Sequence, residues 1–532
     1  MSGSELITFQ TVGHMKKLFF MKSARAAGLL TLVICPLLAS GCTDLEETPI
    51  SSITPENFYR TEAEVLGGLA AVYAELRGDG SMWGYYNLSE VSTDEIIVPT
   101  RGSDWFDNGR WLEIHRQLWG ANTPAGLDDV NRVWVDSFRG VARANILLNA
   151  LENVEIPNEE VVVAEVRTLR AFYYYMLMDM FGGVPIVTDL EITTRPRNTR
   201  AEVFTFIEQE LQEAREDLPA SWPPEFHGRM TKGAADAVLA SMYLNAQVFT
   251  GTVSTGGLQP GPARWQDAIS AADRVLNSGV YSLATNWRSN FTATNHLSPE
   301  NIFVVKNLNQ PGLGLNFLMR ALHYNQHSPS PWNGFATLAE TYFAFDDDDQ
   351  RQDIFLVGPQ RNLETGQPVT DRSGAPLFFD PTIRDATQAT EGEGVRIAKW
   401  PVDPDHVQEN HGNDVAYFRL AEMYLIKAEA LNELGNTNEA VNLVNTIRAR
   451  VFEPDEPLSA GSFTQVTFRA QILKERLLEL TAEAKRRQDL IRHGRFTAPW
   501  SFKEQREPYR ILMPIPQSQL DTNPLLEQNP GY

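Results

Sequence analysis

The chain has 532 residues, of which 42% are hydrophobic and 10% aromatic, and a formal net charge of −22. That composition excludes wholesale disorder and supports a sizeable core in one large domain or a few smaller ones. The acidity sets the surface against phosphate backbones, so no nucleic-acid partner is expected.

The two cysteines, Cys35 and Cys42, both fall near the N-terminus. From Met15, the start of translation on this reading, Lys16, Lys17, Lys22 and Arg25 precede an apolar run, Ala26–Ala39. The small residues Ala39, Ser40 and Gly41 close it, which predicts a secretory signal peptide over residues 1–41. The run is too short for a spanning helix, which needs about 20 apolar residues. Cys42 stands at the cleavage point. Ala39-Ser40-Gly41-Cys42 resembles a bacterial lipobox, so Cys42 is the expected lipid-attachment residue. Several acyl chains, at roughly 0.8 kcal/mol per buried CH₂, anchor far better than one. Without residues 1–41 the chain keeps 42 basic and 67 acidic residues, and acylation of Cys42 would leave neither a free thiol nor a disulfide. The acidic "TDLEE" (43–47) is similar to the export signal of surface-exposed lipoproteins in some Gram-negative bacteria. The expected location is the outer membrane, lipid-anchored and facing the cell exterior.

Helical periodicity dominates the remainder of the chain. Val65, Leu66, Leu69, Val72 and Tyr73 share one face over 61–78. Residues 161–183 read as a long apolar helix closed by Gly182 and Gly183, and 200–219 as another ended by Pro219. Helices then come in pairs, 231–249 with 265–279 and 418–435 with 436–451. Ala421, Ala428, Ala430 and Ala440 would let the second pair approach closely, in the manner of tetratricopeptide repeats. Segments 80–125, 280–335 and 350–415 are rich in Gly, Pro, Asn, Asp and Trp and too long for simple connectors. They read as a loop-rich face with a few short strands such as "NIFVVK" (301–306), and loops on a rigid frame commonly carry function.

Seven segments in order resemble the SusD-like (RagB/SusD) family of nutrient-binding outer-membrane lipoproteins. They are "SSITPENFYRTEAEV" (51–65), "EVRTLRAFYYYMLMDMFGGVPIVT" (165–188), "GRMTKGAADAVLASMYL" (228–244), "AISAADRVLNSGVYSL" (268–283), "FRLAEMYLIKAEALNELG" (418–435), "ILKERLLELTAEAKRRQDLIRHG" (472–494) and "LMPIPQSQLDTNPLLEQNPGY" (512–532). The resemblance implies a single domain over 42–532, with an N-terminal half to residue 225 and a C-terminal half from 226. It implies an all-α-dominated fold, with four tetratricopeptide-like helix pairs as scaffold, a loop-rich irregular face and a few short strands. It also implies binding of an oligosaccharide or other nutrient, delivery to a SusC-like TonB-dependent transporter, and no catalytic activity.

Trp83, Trp105, Trp111 and Trp119 cluster among polar companions. Aromatic faces stack on the apolar faces of sugars while Asp, Asn and Arg bond the hydroxyls. The candidate ligand-binding residues are Trp105 and Trp111 with Asp104 and Asn108, and, at the later position where the resemblance to the family implies further sugar-stacking aromatics, "HYNQHSPSPWNGF" (323–335), Tyr324 and Trp332. Trp83 and Trp119 read rather as packing. Glu475 and Glu479 could suggest a glycosidase pair. At i, i+4 on one predicted helix over 472–494, with Arg486, Arg487 and Asp489 downstream, they read instead as a structural ion-pair network. "FDDDDQR" (345–351) lacks the ligand pattern of a calcium loop and reads as a solvated turn. The nine histidines contain no HExxH, and no G-x-S-x-G occurs. No catalytic residue, cofactor or metal is expected. The rival readings are a surface glycoside hydrolase and a binder of a non-glycan nutrient such as peptides.

Overall fold

The computed structural model describes residues 59–78 and 84–532, so the expected signal peptide, Cys42 and Trp83 lie outside the described residues. The frame is a succession of helices: α1 (Glu62–Ala74), α2 (Asn131–Leu151), α3 (Glu159–Phe181), α4 (Arg200–Asp217), α5 (Lys232–Leu244), α6 (Trp265–Leu276), α7 (Leu420–Glu433), α8 (Thr437–Arg448), α9 (Gln465–Leu480) and α10 (Arg486–Arg492). Each packs on the next, so α6 meets α7 across the whole loop-rich stretch between Leu276 and Leu420. The described residues belong to one compact unit. Among the described residues no helix is long and apolar enough to cross a membrane.

Small residues set the spacing. Ala421, Ala428, Ala430 and Ala440 are fully buried where α7 meets its neighbours. A Cβ at Gly140 of α2 would stand 2.5 Å from the Tyr173 ring of α3, so only glycine allows that crossing. Helices α1, α4, α5 and α9 start at threonine side-chain caps, with reciprocal capping boxes at Thr199/Glu202 and Thr464/Thr467. Gly182 ends α3 at φ 75°, and a Cβ on Gly183 would strike the Asn198 carbonyl oxygen at 2.2 Å. Helix α2 escapes the sequence reading because buried Asp136, Ser137 and Asn145 interrupt its apolar stripe.

Two expectations change. The helix expected over 472–494 is broken into α9 and α10, with Ala482 and Ala484 in the left-handed region at φ 65° and 60°. Their amides donate to the buried carboxyls of Glu95 (2.9 Å) and Glu90, which hold the break open. The second concerns "FDDDDQR", which is no wholly solvated turn. Asp346 is exposed, but Asp349 and Arg351 are buried as an ion pair at 2.6 Å.

That pair belongs to a buried network on the α9 face. Strand β1 (Asn301–Val305) pairs antiparallel with β2 (Val415–Arg419), which runs directly into α7 and aims Arg419 inward. Arg419 bonds Glu300 (2.8 Å), Glu479 (2.6 Å) and Glu483 (2.8 Å); Arg450 bonds Glu300 and Glu479 (2.5 Å). Arg351 reaches Glu475 and Glu479, Arg448 bonds Glu475 (2.7 Å), and Lys399 bonds Glu483 (2.5 Å). The ion-pair reading of Glu475 and Glu479 is therefore what the structure contains.

Two opposite pH dependences are built into this region. Burial pushes Glu479 up, but Arg450, Arg419 and Arg351 outweigh it and hold the carboxyl at about 2. A depressed carboxylate stabilises the fold above its unfolded pKa, near the model-peptide value of about 4.3, and loses that contribution as pH falls toward 2. Burial raises Glu95 to about 7 and Glu90 well above its ordinary value. A raised carboxyl contributes stability below its unfolded pKa and loses it as pH rises through its folded one. Between pH 5 and 8 the urea midpoint of the wild type should therefore fall more steeply than that of Glu95→Gln, which carries no proton to lose. Parallel curves would refute the assignment.

Candidate functional site

The sequence-predicted residues converge because two loop segments are stitched together. Ile96–Ile97 pairs antiparallel with Ala336–Thr337, which lays the 101–111 loop beside 323–335. Two buried arginines fasten the junction. Arg101 donates to the backbone carbonyls of Asn333 (3.0 Å), Thr390 and Glu393 (2.8 Å). Arg396 donates to the Asn333 side chain (2.8 Å) and to the carbonyls of Glu391 (2.8 Å) and Glu393 (2.9 Å). Burial lowers both guanidinium pKa values, that of Arg101 to about 10.

On this base the half-buried Trp105 donates its indole N–H to the Trp332 carbonyl at 2.6 Å. Its ring packs edge-on against Trp111 (centroids 5.4 Å apart) and Phe335 (5.8 Å). Gly334 underlies it: a Cβ there would stand 2.2 Å from Trp105 Cε2. Trp332 is likewise half-buried. The loop is strained, with Trp105, Asp107 and Asn108 at φ 60°, 39° and 57°. Non-glycine residues in this region cost about 1–3 kcal/mol each and persist only where the surroundings over-determine them, often at ligand sites.

A polar fringe lies alongside. The Tyr324 hydroxyl donates to Asp104, and the Arg372 guanidinium lies 3.2 Å from Asp104 and 4.2 Å over the Tyr324 ring. Arg372 also pairs with Glu391 (2.5 Å), which is 2.8 Å from His323 Nε2. Burial and the Asp104 carboxylate push the Tyr324 hydroxyl up to about 12, so it stays a donor. Burial raises the Glu391 carboxyl, but hydrogen bonds from Arg372 and His323 bring it below its ordinary value. Half-buried aromatic faces, fixed donors and acceptors, and one exposed amide at Asn108 suit a polyhydroxylated ligand better than an apolar one.

Trp105, Trp332, Tyr324 and Asp104 are thus brought together, with Asn108 on the same loop. Trp111 is a correction: at 1% exposure it is core, its N–H on Asp107 (2.7 Å) and its ring beneath Trp105. It supports the platform and offers no face to a ligand. Trp119 is also buried, bonded to the Tyr532 hydroxyl at 2.7 Å. Arg372, Glu391, Gly334, Arg101 and Arg396 were not foreseen; they come from three separate loops and carry no local signature. Spacing also overlooked His327, His406 and His411, each of which places a ring nitrogen within 4.8 Å of the other two. An apolar groove of about 360 Å³ between α1 and β1, lined by Leu66, Tyr73, Phe226 and Val304, shares none of the candidate residues.

The comparisons agree with this architecture. The family described as "Starch-binding associating with outer membrane" matches residues 81–244, and the SusD family matches 339–532. SusD-like protein P25 of Formosa agariphila is 26% identical over 92% of this chain and 96% of its own. Starch-binding protein SusD of Bacteroides thetaiotaomicron is 24% identical over 96% of this chain and 100% of its own. Among solved structures, a laminarin binding SusD-like protein superposes with a TM-score of 0.70 at 25% identity, covering 89% of this chain and 100% of that one. Surface glycan-binding protein A from Bacteroides thetaiotaomicron, in complex with laminarihexaose, gives 0.69 at 19% identity over 88% and 99%, a likeness of fold. Whole-length coverage, two family matches at the two ends, and the helix-pair frame with its loop-borne aromatic face lead to one conclusion: the chain belongs to the SusD-like (RagB/SusD) family.

Proposed function

We propose that the protein is a cell-surface lipoprotein, anchored through Cys42, that binds an oligosaccharide and passes it to a SusC-like TonB-dependent transporter. The Trp105–Trp332 pair, half-exposed on a base locked by Arg101 and Arg396, is the observation that carries the glycan reading. The relatives' names, starch-binding and laminarin binding, support the ligand class. The hydrolase reading loses its best acid–base pair, because Glu475 and Glu479 are buried and saturated by arginines.

Each stacked aromatic contributes about 0.5–1.5 kcal/mol beyond burial, so Trp105→Ala or Trp332→Ala should each weaken binding roughly 2- to 13-fold. The test is a glycan array on the wild type, then calorimetry of both variants with a glycan it selects. Normal binding by both would place the platform elsewhere.

The anchor and partner make a second prediction. Cys42→Ala should lose acylation and leave the membrane fraction. Wild type extracted from native membranes in mild detergent should carry a large TonB-dependent barrel. An unacylated mature N-terminus, or a solitary extract, would count against the corresponding part.

A further inference from the structure

We propose that His327, His406 and His411 bind one divalent transition-metal ion of the zinc class, and that this ion staples the segment carrying Tyr324 and Trp332 to the 403–411 hairpin. The stapling clause rests on reading Trp332 as a ligand residue; the metal site does not.

The three imidazoles come from two separate parts of the chain yet form one cluster. His406 and His411 flank a tight turn closed in both directions between Val407 and Asn410 (3.0 Å each), with Gln408 at φ 55°. Their rings stack at 5.0 Å with 20° between planes, and His327 lies against both, its ring 4.6 Å from His406 and 5.4 Å from His411. The hairpin is itself fixed: His411 exchanges both backbone hydrogen bonds with Leu315 (2.8 and 3.1 Å).

The Nδ1 atoms of His327 and His406 sit against oxygen acceptors, as ligating histidines require. His327 Nδ1 contacts the Glu364 carboxylate, which also accepts the Ser328 amide at 2.9 Å. His406 Nδ1 lies 2.8 Å from the Gln408 carbonyl. A carboxylate or carbonyl on one ring nitrogen sets the tautomer that frees the other for metal. His327 Nε2 and His411 Nε2 are buried and have no hydrogen-bond partner among the described residues, which is unfavourable for a polar atom taken out of water. His411 Nδ1 accepts the Asp403 amide N–H at 3.2 Å, the long end of the hydrogen-bond range, and metal at Nε2 would move the ring proton to Nδ1 and break that bond. An all-nitrogen set excludes calcium and magnesium, which require oxygen ligands, and suits zinc with its fourth position open to water. Half-exposed His406 provides the entry. His327 sits between Tyr324 and Trp332 in sequence, so an ion there would restrain the segment that carries both.

The purified chain, stripped with a chelator, should take up one equivalent of Zn²⁺ by calorimetry and elemental analysis, and its melting midpoint should rise as zinc is added. His406→Ala should melt like stripped wild type and lose that equivalent. Glu364→Gln should weaken uptake roughly 10- to 100-fold. Trp332→Ala should still bind zinc, so failure of the glycan reading leaves this result standing. The proposal is overturned if stripped wild type takes up no stoichiometric zinc, or if His406→Ala and His411→Ala bind it as wild type does. Should His406→Ala melt lower than stripped wild type, Glu364→Gln decides, and unchanged zinc affinity there overturns the proposal.

Discussion

Glu479→Gln should destabilise the fold by about 3–5 kcal/mol, the range for removing one partner from a buried ion pair. The substitution takes one negative charge from a site where Arg351, Arg419 and Arg450 converge, all nearly or fully buried. Five cations (Arg351, Lys399, Arg419, Arg448, Arg450) face five anions (Glu300, Asp349, Glu475, Glu479, Glu483), and the change leaves one guanidinium uncompensated. The Trp287 N–H also donates to Glu479 at 3.0 Å and would be left with a weaker acceptor. Arg469→Ala is the control. Its bidentate pair with Glu433 (2.6 Å) lies at the surface, with 41% of the arginine side chain exposed, and such pairs are worth about 0–1 kcal/mol. Urea unfolding of both variants provides the comparison. Midpoints shifted equally would show that the buried network relaxes as freely as a surface pair.

Gly334→Val should abolish most glycan affinity while leaving the helical frame intact. The residue belongs to a loop, and the first atom its added side chain would strike, at 2.2 Å, is in the Trp105 indole. Because Trp105 donates to the Trp332 carbonyl, evicting the indole disturbs both faces at once. Two stacking contributions of about 0.5–1.5 kcal/mol sum to about 1–3 kcal/mol, or roughly 5- to 160-fold in affinity. The measurement is calorimetry against the same glycan used for the single tryptophan variants, with circular dichroism to confirm helix content. Wild-type affinity in a folded Gly334→Val protein would remove Trp105 from the site.

Much of the frame was legible in the chain because helices announce themselves locally. The apolar stripe of 61–78, the glycine pair after α3 and the small residues of α7 and α8 each follow from side chains three or four positions apart. Legibility failed where tertiary contacts override local preference. Thr481–Lys485 continues a helical pattern in sequence, yet the amides of Ala482 and Ala484 are claimed by Glu95 and Glu90, nearly four hundred residues away. Asp349 reads as one more acid in an exposed run until Arg351 and the α9 glutamates enclose it.

The site divides along the same line. The sequence by itself determined the chemistry: an acidic body, tryptophans clustered among Asp, Asn and Arg, and a cysteine just after an apolar run and three small residues. Composition and short motifs record which groups are available, and those do not depend on the fold. Only the tertiary structure decided which groups meet. It put Trp105 on Trp332 and Tyr324 on Asp104, buried Trp111 beneath them, and gathered three histidines whose spacing suggested nothing. Those partners lie on loops whose course is set by Arg101, Arg396 and the Ile96–Ile97 pairing. Exposure of an indole is likewise a property of everything packed around it, which no window of neighbouring residues contains.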